Sequence, residues 1–236
     1  MKTSSLLIKT IAVILPIVLL LSCSKQDINL NTPAPSVANV NFIQASPNSS
    51  PTDFYINNIK INLYSFSYNQ FSDYVKINSG IDTIKFANYS TKVLILSKNF
   101  NFEANSAYSV FFTNKPNQQE LFILTDTLNK PAPNSANIRF INVSPDAPAV
   151  DLVIKGGSTL VANKGFKGFS SFSPIQGDSN YNLEIHKAGT GIVLATINNF
   201  KLQSNYVYTI WLHGLVSNTS SADQLTLEVM TNTFYL

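Results

Sequence analysis

The chain contains one sequence segment twice, and this repeat limits its possible folds more than any other feature. Residues 38–47, ANVNFIQASP, return as residues 136–145, ANIRFINVSP, and the correspondence runs on without a gap to Asp53 and Asp151. The offset of 98 residues is too long for a solenoid repeat and is typical of one small domain. We therefore expect two copies of one module, residues 38–127 and 136–236, joined by a Pro-rich linker over residues 128–135.

The N-terminal segment, residues 1–22, has the composition of an export signal. A short basic start precedes an apolar run over residues 10–21, which is shorter than the ~20 residues that a membrane-spanning helix needs. The run ends in Leu20, Leu21 and Ser22, directly before Cys23. These four residues resemble the lipobox of bacterial lipoproteins, which implies cleavage before the cysteine and its lipidation. The alternative is an ordinary secretory signal in which the cysteine has no role.

The lipobox resemblance implies a cellular location as well as a lipid anchor. Two or three acyl chains on Cys23 would hold the protein stably on a membrane. Ser24 follows the cysteine, where an aspartate would resemble an inner-membrane retention signal. We therefore expect the outer membrane, on its periplasmic face or at the cell surface. Residues 23–37 lack hydrophobic periodicity and would form the lipidated tether.

Composition excludes several classes of partner. Without residues 1–22 the formal net charge is about +1, too small to attract nucleic acid. Cys23 is the only cysteine, so the modules contain no disulfide and must be stabilised by apolar burial. No sequence feature indicates a cofactor or self-association, and we expect a monomer.

Inside the modules, apolar and polar residues alternate as in a half-buried strand. Val40 and Phe42 flank Asn41, and the pattern predicts that the asparagine faces water. Arg139 occupies the equivalent position of the second copy and is predicted to face water too. The uninterrupted apolar run 93–96 predicts a more central strand. The sequence therefore predicts an all-β chain of two tandem immunoglobulin-like antiparallel β-sandwiches, with a jelly roll or barrel as the alternative.

Two tyrosines support the sandwich. Tyr108 and Tyr208 each stand six positions after an apolar residue, with a turn asparagine between, and each opens an apolar strand. The pattern resembles the tyrosine corner of immunoglobulin-like sandwiches, in which the hydroxyl bonds to upstream backbone. Because both copies have it, we interpret both tyrosines as structural.

Residues 144–152, SPDAPAVDL, resemble the signature of the family called domain of unknown function 4397. The strands opened by the two tyrosines fit the second half of that family. The first copy departs from the signature, because NSSPTD at residues 48–53 replaces its DAPAVD core. The family consists of secreted or anchored bacterial proteins, often with tandem domains. The resemblance implies a β-sandwich and no particular activity.

Few polar residues indicate chemistry. Asp53 and Asp151 follow a Pro-containing loop, where a carboxylate could bind calcium or fix the turn through backbone N–H groups, and we favour the turn. Glu184 and His186 share a strand face, but a zinc site needs three or four ligands, so we predict no metal. No nucleophile motif is present, and we predict no enzyme. A hydrolase with paired carboxylates is the distant alternative.

Aromatic side chains are the remaining candidates for ligand binding. Tyr64 has no aromatic counterpart in the second copy, whereas Tyr68 corresponds to Phe166 at the repeat offset. With Trp211 the two tyrosines could stack on a sugar or dock a protein, and core packing is the alternative. Two further pairs recur at the repeat offset and are predicted to lie in a core, Phe71 with Phe169 and Tyr74 with Phe172.

Together these features predict a lipid-anchored, non-catalytic binding or adhesion module for a glycan or an envelope protein. The alternative is a structural accessory of an outer-membrane assembly. A ligand that stabilises the folded protein would favour the first, and co-purification with a membrane complex would favour the second.

Overall fold

The computed structural model describes residues 36–218 and 223–236. The signal segment and Cys23 lie outside the described residues. Residues Pro35–Leu236 form one compact unit. No helix within the described ranges has the length and apolar character needed to span a membrane.

Seventeen strands are described. The first repeat contains β1 (Val37–Gln44), β2 (Thr52–Ile56), β3 (Ile59–Lys60), β4 (Gln70–Phe71), β5 (Val75–Asn78), β6 (Gly80–Asn88), β7 (Leu94–Phe102), β8 (Ala107–Thr113) and β9 (Glu120–Thr125). The second repeat contains β10 (Ser135–Asn142), β11 (Val150–Ile154), β12 (Thr159–Lys164), β13 (Ser173–Gln176), β14 (Ser179–Lys187), β15 (Val193–Leu202), β16 (Tyr206–His213) and β17 (Thr226–Phe234).

Each repeat forms two sheets. In the first repeat, β3-β2-β6-β7 form the outer sheet, and β1, β8 and β9 with the short β4 and β5 form the inner sheet. In the second repeat, β12-β11-β14-β15 form the outer sheet and β13-β10-β16-β17 the inner sheet. The predicted all-β sandwich class is confirmed. Paired strands are antiparallel, except that β1 with β8 and β10 with β16 are parallel.

The sheets enclose three apolar clusters. One fills the first repeat around Phe42, Phe54 and Phe86, and one fills the second around Phe140 and Leu152. The third, here called the junction, contains only inner-sheet strands and the residues next to them: Ile43, Ala45, Phe111, Leu124, Ile141, Val143, Trp211 and Met230. Both faces of each inner sheet are therefore covered.

The junction makes the prediction for Asn41 and Arg139 wrong. These side chains were expected to face water, yet they are 2% and 3% exposed. The face of the inner sheet that would meet solvent in an isolated module packs on the other repeat instead. Alternation shows that a side chain changes face, but it does not show what covers that face.

Phe71 and Phe169 also depart from prediction, because they are 43% and 46% exposed rather than buried in a core. Phe71 pairs with Ile43, and Phe169 pairs with Ile141 at the equivalent place. In each repeat this pairing is very short, so the ring stands at the rim of the inner sheet. The two phenylalanines are thus matched in position and exposure.

The apolar run 93–96 does not form a central strand. It enters β7, which is the edge of its sheet. Val93 is 63% exposed and Leu94 54% exposed. A short apolar run is therefore not sufficient to distinguish a central strand from an edge strand.

Candidate functional site

The three aromatic residues proposed to face a ligand lie in different surroundings. Tyr64 is 82% exposed, and its neighbour Leu63 is 87% exposed. Trp211 is fully buried in the junction. The Tyr68 hydroxyl lies 2.6 Å from Nδ1 of buried His213. Of the three, only Tyr64 presents its ring to solvent.

Tyr64 lies on an ordered bulge that is held by one asparagine. Asn62 Oδ1 accepts a hydrogen bond from the Phe54 backbone N–H at 2.8 Å. Asn62 Nδ2 donates to the backbone carbonyl of Tyr64 at 2.6 Å. The chain returns to the sheet at Phe66, which is 6% exposed and bridges to Thr52. Both ends of the bulge are fixed, so the residues between them project outward in a defined position.

In the second repeat the equivalent segment is a continuous strand, β12, which pairs with β11 through two register shifts. Leu160 stands there at the position of Asn62 and Ala162 at that of Tyr64. Comparison of the repeats indicated Tyr64 in advance because its counterpart is not aromatic. It did not indicate Leu63, whose counterpart Val161 is also apolar.

A groove of about 320 Å³ lies beside the bulge, between it and the β4–β5 region. We call it the Tyr64 groove. Its apolar lining includes Ile61, Leu63, Tyr64, Phe71 and Val75, and none of its lining residues is charged. Several of its polar side chains already bond within the protein. For example, Ser72 Oγ accepts from the Phe42 backbone N–H at 3.0 Å and donates to the Asp73 carbonyl at 2.8 Å.

A buried polar network crosses the junction at another point. Arg139 Nη1 lies 2.5 Å from Asp126 Oδ1. Arg139 Nη2 and Nε donate to the hydroxyls of Ser109 and Thr209, each at 2.8 Å. The cation is therefore neutralised by a carboxylate of the other repeat and bonded by hydroxyls from both.

Tyr74 completes this network. Its hydroxyl donates to Asp126 Oδ2 at 2.5 Å and accepts from Asn232 Nδ2 at 3.0 Å. Burial raises the pKa of Tyr74, and the Asp126 carboxylate raises it further. The phenol therefore stays protonated and serves as a donor at neutral pH.

A second polar contact in the junction joins Tyr68 and His213. The His213 ring stacks on Trp211 with centroids 4.2 Å apart and is 1% exposed. Burial lowers the pKa of His213 to about 3. Burial also raises the pKa of Tyr68, with added effects of Asp223 and Glu228. Both groups are neutral at neutral pH, and the contact serves to position the two repeats.

The equivalent aspartates have different partners. Asp151 accepts hydrogen bonds from the backbone N–H groups of Asn163 at 2.7 Å and Gly189 at 2.9 Å. Asp53 instead pairs with Lys60 at 2.6 Å and Lys92 at 2.8 Å. Burial alone would raise the pKa of Asp53, but the bonds from the two lysines outweigh it and lower that pKa. Asp151 fixes turns through the backbone, whereas Asp53 fixes two side chains.

The remaining residues that the sequence indicated make hydrogen bonds within the protein. The hydroxyl of Tyr108 accepts from the Glu103 backbone N–H at 3.0 Å, and that of Tyr208 from Gln203 at 3.2 Å. These are the upstream backbone bonds that a tyrosine corner makes. His186 Nε2 lies 2.8 Å from Glu184 Oε2. The described residues contain no group of three or more His, Cys, Asp or Glu side chains placed to hold a metal ion.

Comparison with known families identifies part of the chain. Residues 38–153 match the family described as domain of unknown function (DUF4397). The match confirms the resemblance seen in residues 144–152. It covers the first repeat and continues into β11 of the second. No curated protein matches the chain significantly.

Two solved structures show a distant likeness. One is a carbohydrate-binding module of family CBM26 from Eubacterium rectale Amy13K in complex with maltoheptaose. It is 12% identical, with a TM-score of 0.26, over 84% of this chain and 97% of that chain. The other is the Bacillus anthracis TIE protein, 12% identical with a TM-score of 0.25, over 75% of this chain and 34% of that chain. TM-scores this low do not identify a ligand.

Proposed function

We propose that this protein is a lipid-anchored, non-catalytic binding protein of the outer membrane that holds a protein partner in the Tyr64 groove. The observation that carries the proposal is the ordered bulge that presents Leu63 and Tyr64, 87% and 82% exposed, beside an uncharged groove. Exposed apolar side chains on a fixed scaffold are typical of an interaction site.

The bulge is suited to binding because it is already ordered. Asn62 fixes the backbone on either side of Leu63 through bonds to Phe54 and Tyr64. A partner therefore does not need to immobilise this segment, and less of the interaction energy is lost to ordering. A tyrosine that becomes buried when a partner binds, with aliphatic side chains beside it, is also a common centre of binding energy in protein interfaces.

The chemistry of the groove favours a protein over a glycan. Asn62 and Ser72 use their polar atoms in bonds within the protein. A sugar hydroxyl placed beside them would lose water without gaining an equivalent partner, which costs free energy. An apolar side chain has no such requirement, and Phe71 and Leu63 would pack against it.

The absence of charge on the lining supports binding without catalysis. None of the groove residues is a carboxylate, histidine, lysine or cysteine, so the phenol of Tyr64 is the one group of the lining that could act as a general acid or base. The proposal is therefore one of recognition, with the partner unchanged after release.

A cross-linking experiment tests the groove directly. A photo-reactive phenylalanine analogue at position 64 of the full-length protein should give one discrete cross-linked protein in intact cells. The same analogue at position 169 is the matched control, because Phe169 is 46% exposed at the rim of the other repeat. The isolated partner should then bind Tyr64→Ala about tenfold or more weakly than wild type. Equal binding by Tyr64→Ala, or an identical product from position 169, would reject the groove.

The anchor is tested separately. Cys23→Ala should release the protein from membranes without changing its circular dichroism spectrum, because Cys23 precedes the first strand. Protease treatment of intact and lysed cells then distinguishes the cell surface from the periplasmic face. Membrane retention of Cys23→Ala would contradict lipidation. A cross-linked partner that belongs to an outer-membrane complex would favour the structural accessory over an adhesion module.

A further inference from the structure

A second concave site lies where the two repeats meet, and it shares no lining residue with the Tyr64 groove. This junction cleft has a volume of about 330 Å³. Thr125 and Thr127 line it from the first repeat, and Phe169, Ser171 and Arg139 line it from the second. The volume lies within the range of small-molecule sites.

One wall of the junction cleft is aromatic and held in place. Phe169 is 46% exposed, and its ring centroid lies 6.1 Å from that of Phe122. The backbone of Phe169 bridges to Ile141 of the inner sheet. The exposed part of this ring offers an apolar surface of the kind on which the C–H face of a sugar ring packs.

The other walls carry hydroxyl groups with unused bonding capacity. The side chains of Thr125, Thr127 and Ser171 make no hydrogen bond with the rest of the described chain. Each hydroxyl can donate one hydrogen bond and accept others, and sugar hydroxyls have the same capacity. The Tyr64 groove differs in degree, because Asn62 and Ser72 are already bonded there, whereas its Ser65 side chain also makes no hydrogen bond within the described chain.

The charge of the junction cleft is balanced. Arg139 is the only charged residue of its lining, and Asp126 lies 2.5 Å from the guanidinium. An acidic ligand would therefore gain little electrostatic binding energy, because the Arg139 cation is already paired with Asp126. We propose that the junction cleft binds a neutral sugar unit of a glycan, by packing on Phe169 and bonding to the surrounding hydroxyls.

Among the described residues, the equivalent positions of the first repeat do not reproduce this lining. At the equivalent positions in the other repeat, Asn41 replaces Arg139, Asp73 replaces Ser171, and Tyr74 replaces Phe172. The Arg139 guanidinium lies 4.7 Å from the centroid of the Phe172 ring, which fixes the floor of the cleft. Sugar binding here is therefore a property of one side of the junction.

An array of neutral and acidic oligosaccharides, probed with the full-length protein in detergent and followed by calorimetry, tests the proposal. The neutral probes contain glucose, mannose, galactose or N-acetylglucosamine, and the acidic ones contain uronic or sialic acid. At least one neutral probe should bind. Phe169→Ala should weaken that binding about tenfold, and the more conservative Thr127→Val about threefold.

Phe71→Ala is the matched control, since Phe71 is 43% exposed at the equivalent rim position. Phe71→Ala should leave sugar binding unchanged and weaken the binding of the protein partner. Phe169→Ala should weaken sugar binding and leave the binding of the protein partner unchanged. The two sites can thus fail independently. Absence of neutral binding, binding of acidic probes alone, or binding unaffected by both Phe169→Ala and Thr127→Val would overturn the sugar site.

Discussion

The guanidinium of Arg139 and the carboxylate of Asp126 form an ion pair across the junction, with Nη1 and Oδ1 2.5 Å apart. The two side chains are 3% and 0% exposed. Asp126 follows the last strand of the first repeat, and Arg139 lies in the first strand of the second. Loss of one partner would leave an unpaired charge away from water, which is far costlier than loss of both.

Arg139→Asn should lower the free energy of unfolding by about 3–5 kcal/mol. The double variant Arg139→Asn with Asp126→Asn should be less destabilised than the sum of the single variants, because it leaves no unpaired charge. Asn232 is the structural equivalent of Asp126, because Tyr108 pairs with Thr125 and Tyr208 pairs with Thr231. The double variant therefore reproduces the residues at the equivalent positions, Asn41 and Asn232. Urea unfolding of all four proteins measures the coupling, and strictly additive losses would contradict a direct pair.

The two repeats should unfold in one transition, because each inner sheet buries one face in the junction. Trp211 is the only tryptophan and lies in that cluster, so its fluorescence reports on the junction. Circular dichroism reports on the strands of both repeats. The two signals should have the same thermal midpoint. A loss of strand signal that precedes the fluorescence change would show that one repeat unfolds alone.

Acid should destabilise the protein through His213. The folded-state pKa of this residue is lowered to about 3 by burial, whereas an unfolded histidine titrates near 6.5. Below that pH the unfolded state binds a proton that the folded state excludes. The contribution of His213 is therefore fully present above about pH 6.5 and decreases toward pH 3, by up to about 1.4 kcal/mol per pH unit.

His213→Gln should flatten the fall in unfolding free energy between pH 6.5 and 5, a range in which carboxylates with ordinary pKa values stay largely ionised. His186→Gln is the control, because it changes the other histidine and retains His213. Glu228, with Oε1 4.0 Å from His213 Nε2, is present in both variants. An unchanged slope in His213→Gln would assign the acid sensitivity to other groups.

Asn62→Leu should lower the free energy of unfolding by about 1–3 kcal/mol, because the Phe54 backbone N–H loses its acceptor. Leucine is the residue at the equivalent position of the second repeat, Leu160. Asn101→Leu, on an exposed position of β7, should change stability by less than about 0.5 kcal/mol. Equal effects of the two substitutions in urea unfolding would show that Asn62 does not hold the bulge.

The sandwich could be predicted because its signal is local. Alternation around Val40 and Phe42 and the repeat itself are read directly from the sequence. The junction could not be predicted, because Asn41 and Arg139 look like solvent-facing residues of an isolated strand. Their burial depends on a second sheet that lies far along the chain, and no short pattern records that contact.

The candidate site also has one part that could be predicted from the sequence and one part that could not. Tyr64 could be selected by comparing the repeats, since Ala162 replaces it in the second. Trp211 differs, because its counterpart in the first repeat is the aromatic Phe111. It lies in the junction, since the strand face opposite Tyr208 meets the other repeat. The bulge itself depends on side-chain bonds of Asn62 to two backbone groups, and asparagine in a polar segment gives no sign of such bonds.

The two sides of the junction are nearly symmetric, because Phe111 is equivalent to Trp211 and Ile43 to Ile141. Even so, the two sides can carry different residues. A homodimer assembled through the same face would carry every substitution on both sides of its axis, so one arginine would always bring a second. Covalent fusion removes that restriction. Here one side has Arg139 and Asp126 while the other keeps Asn41 and Asn232, so a near-symmetric contact can have two chemically different sides.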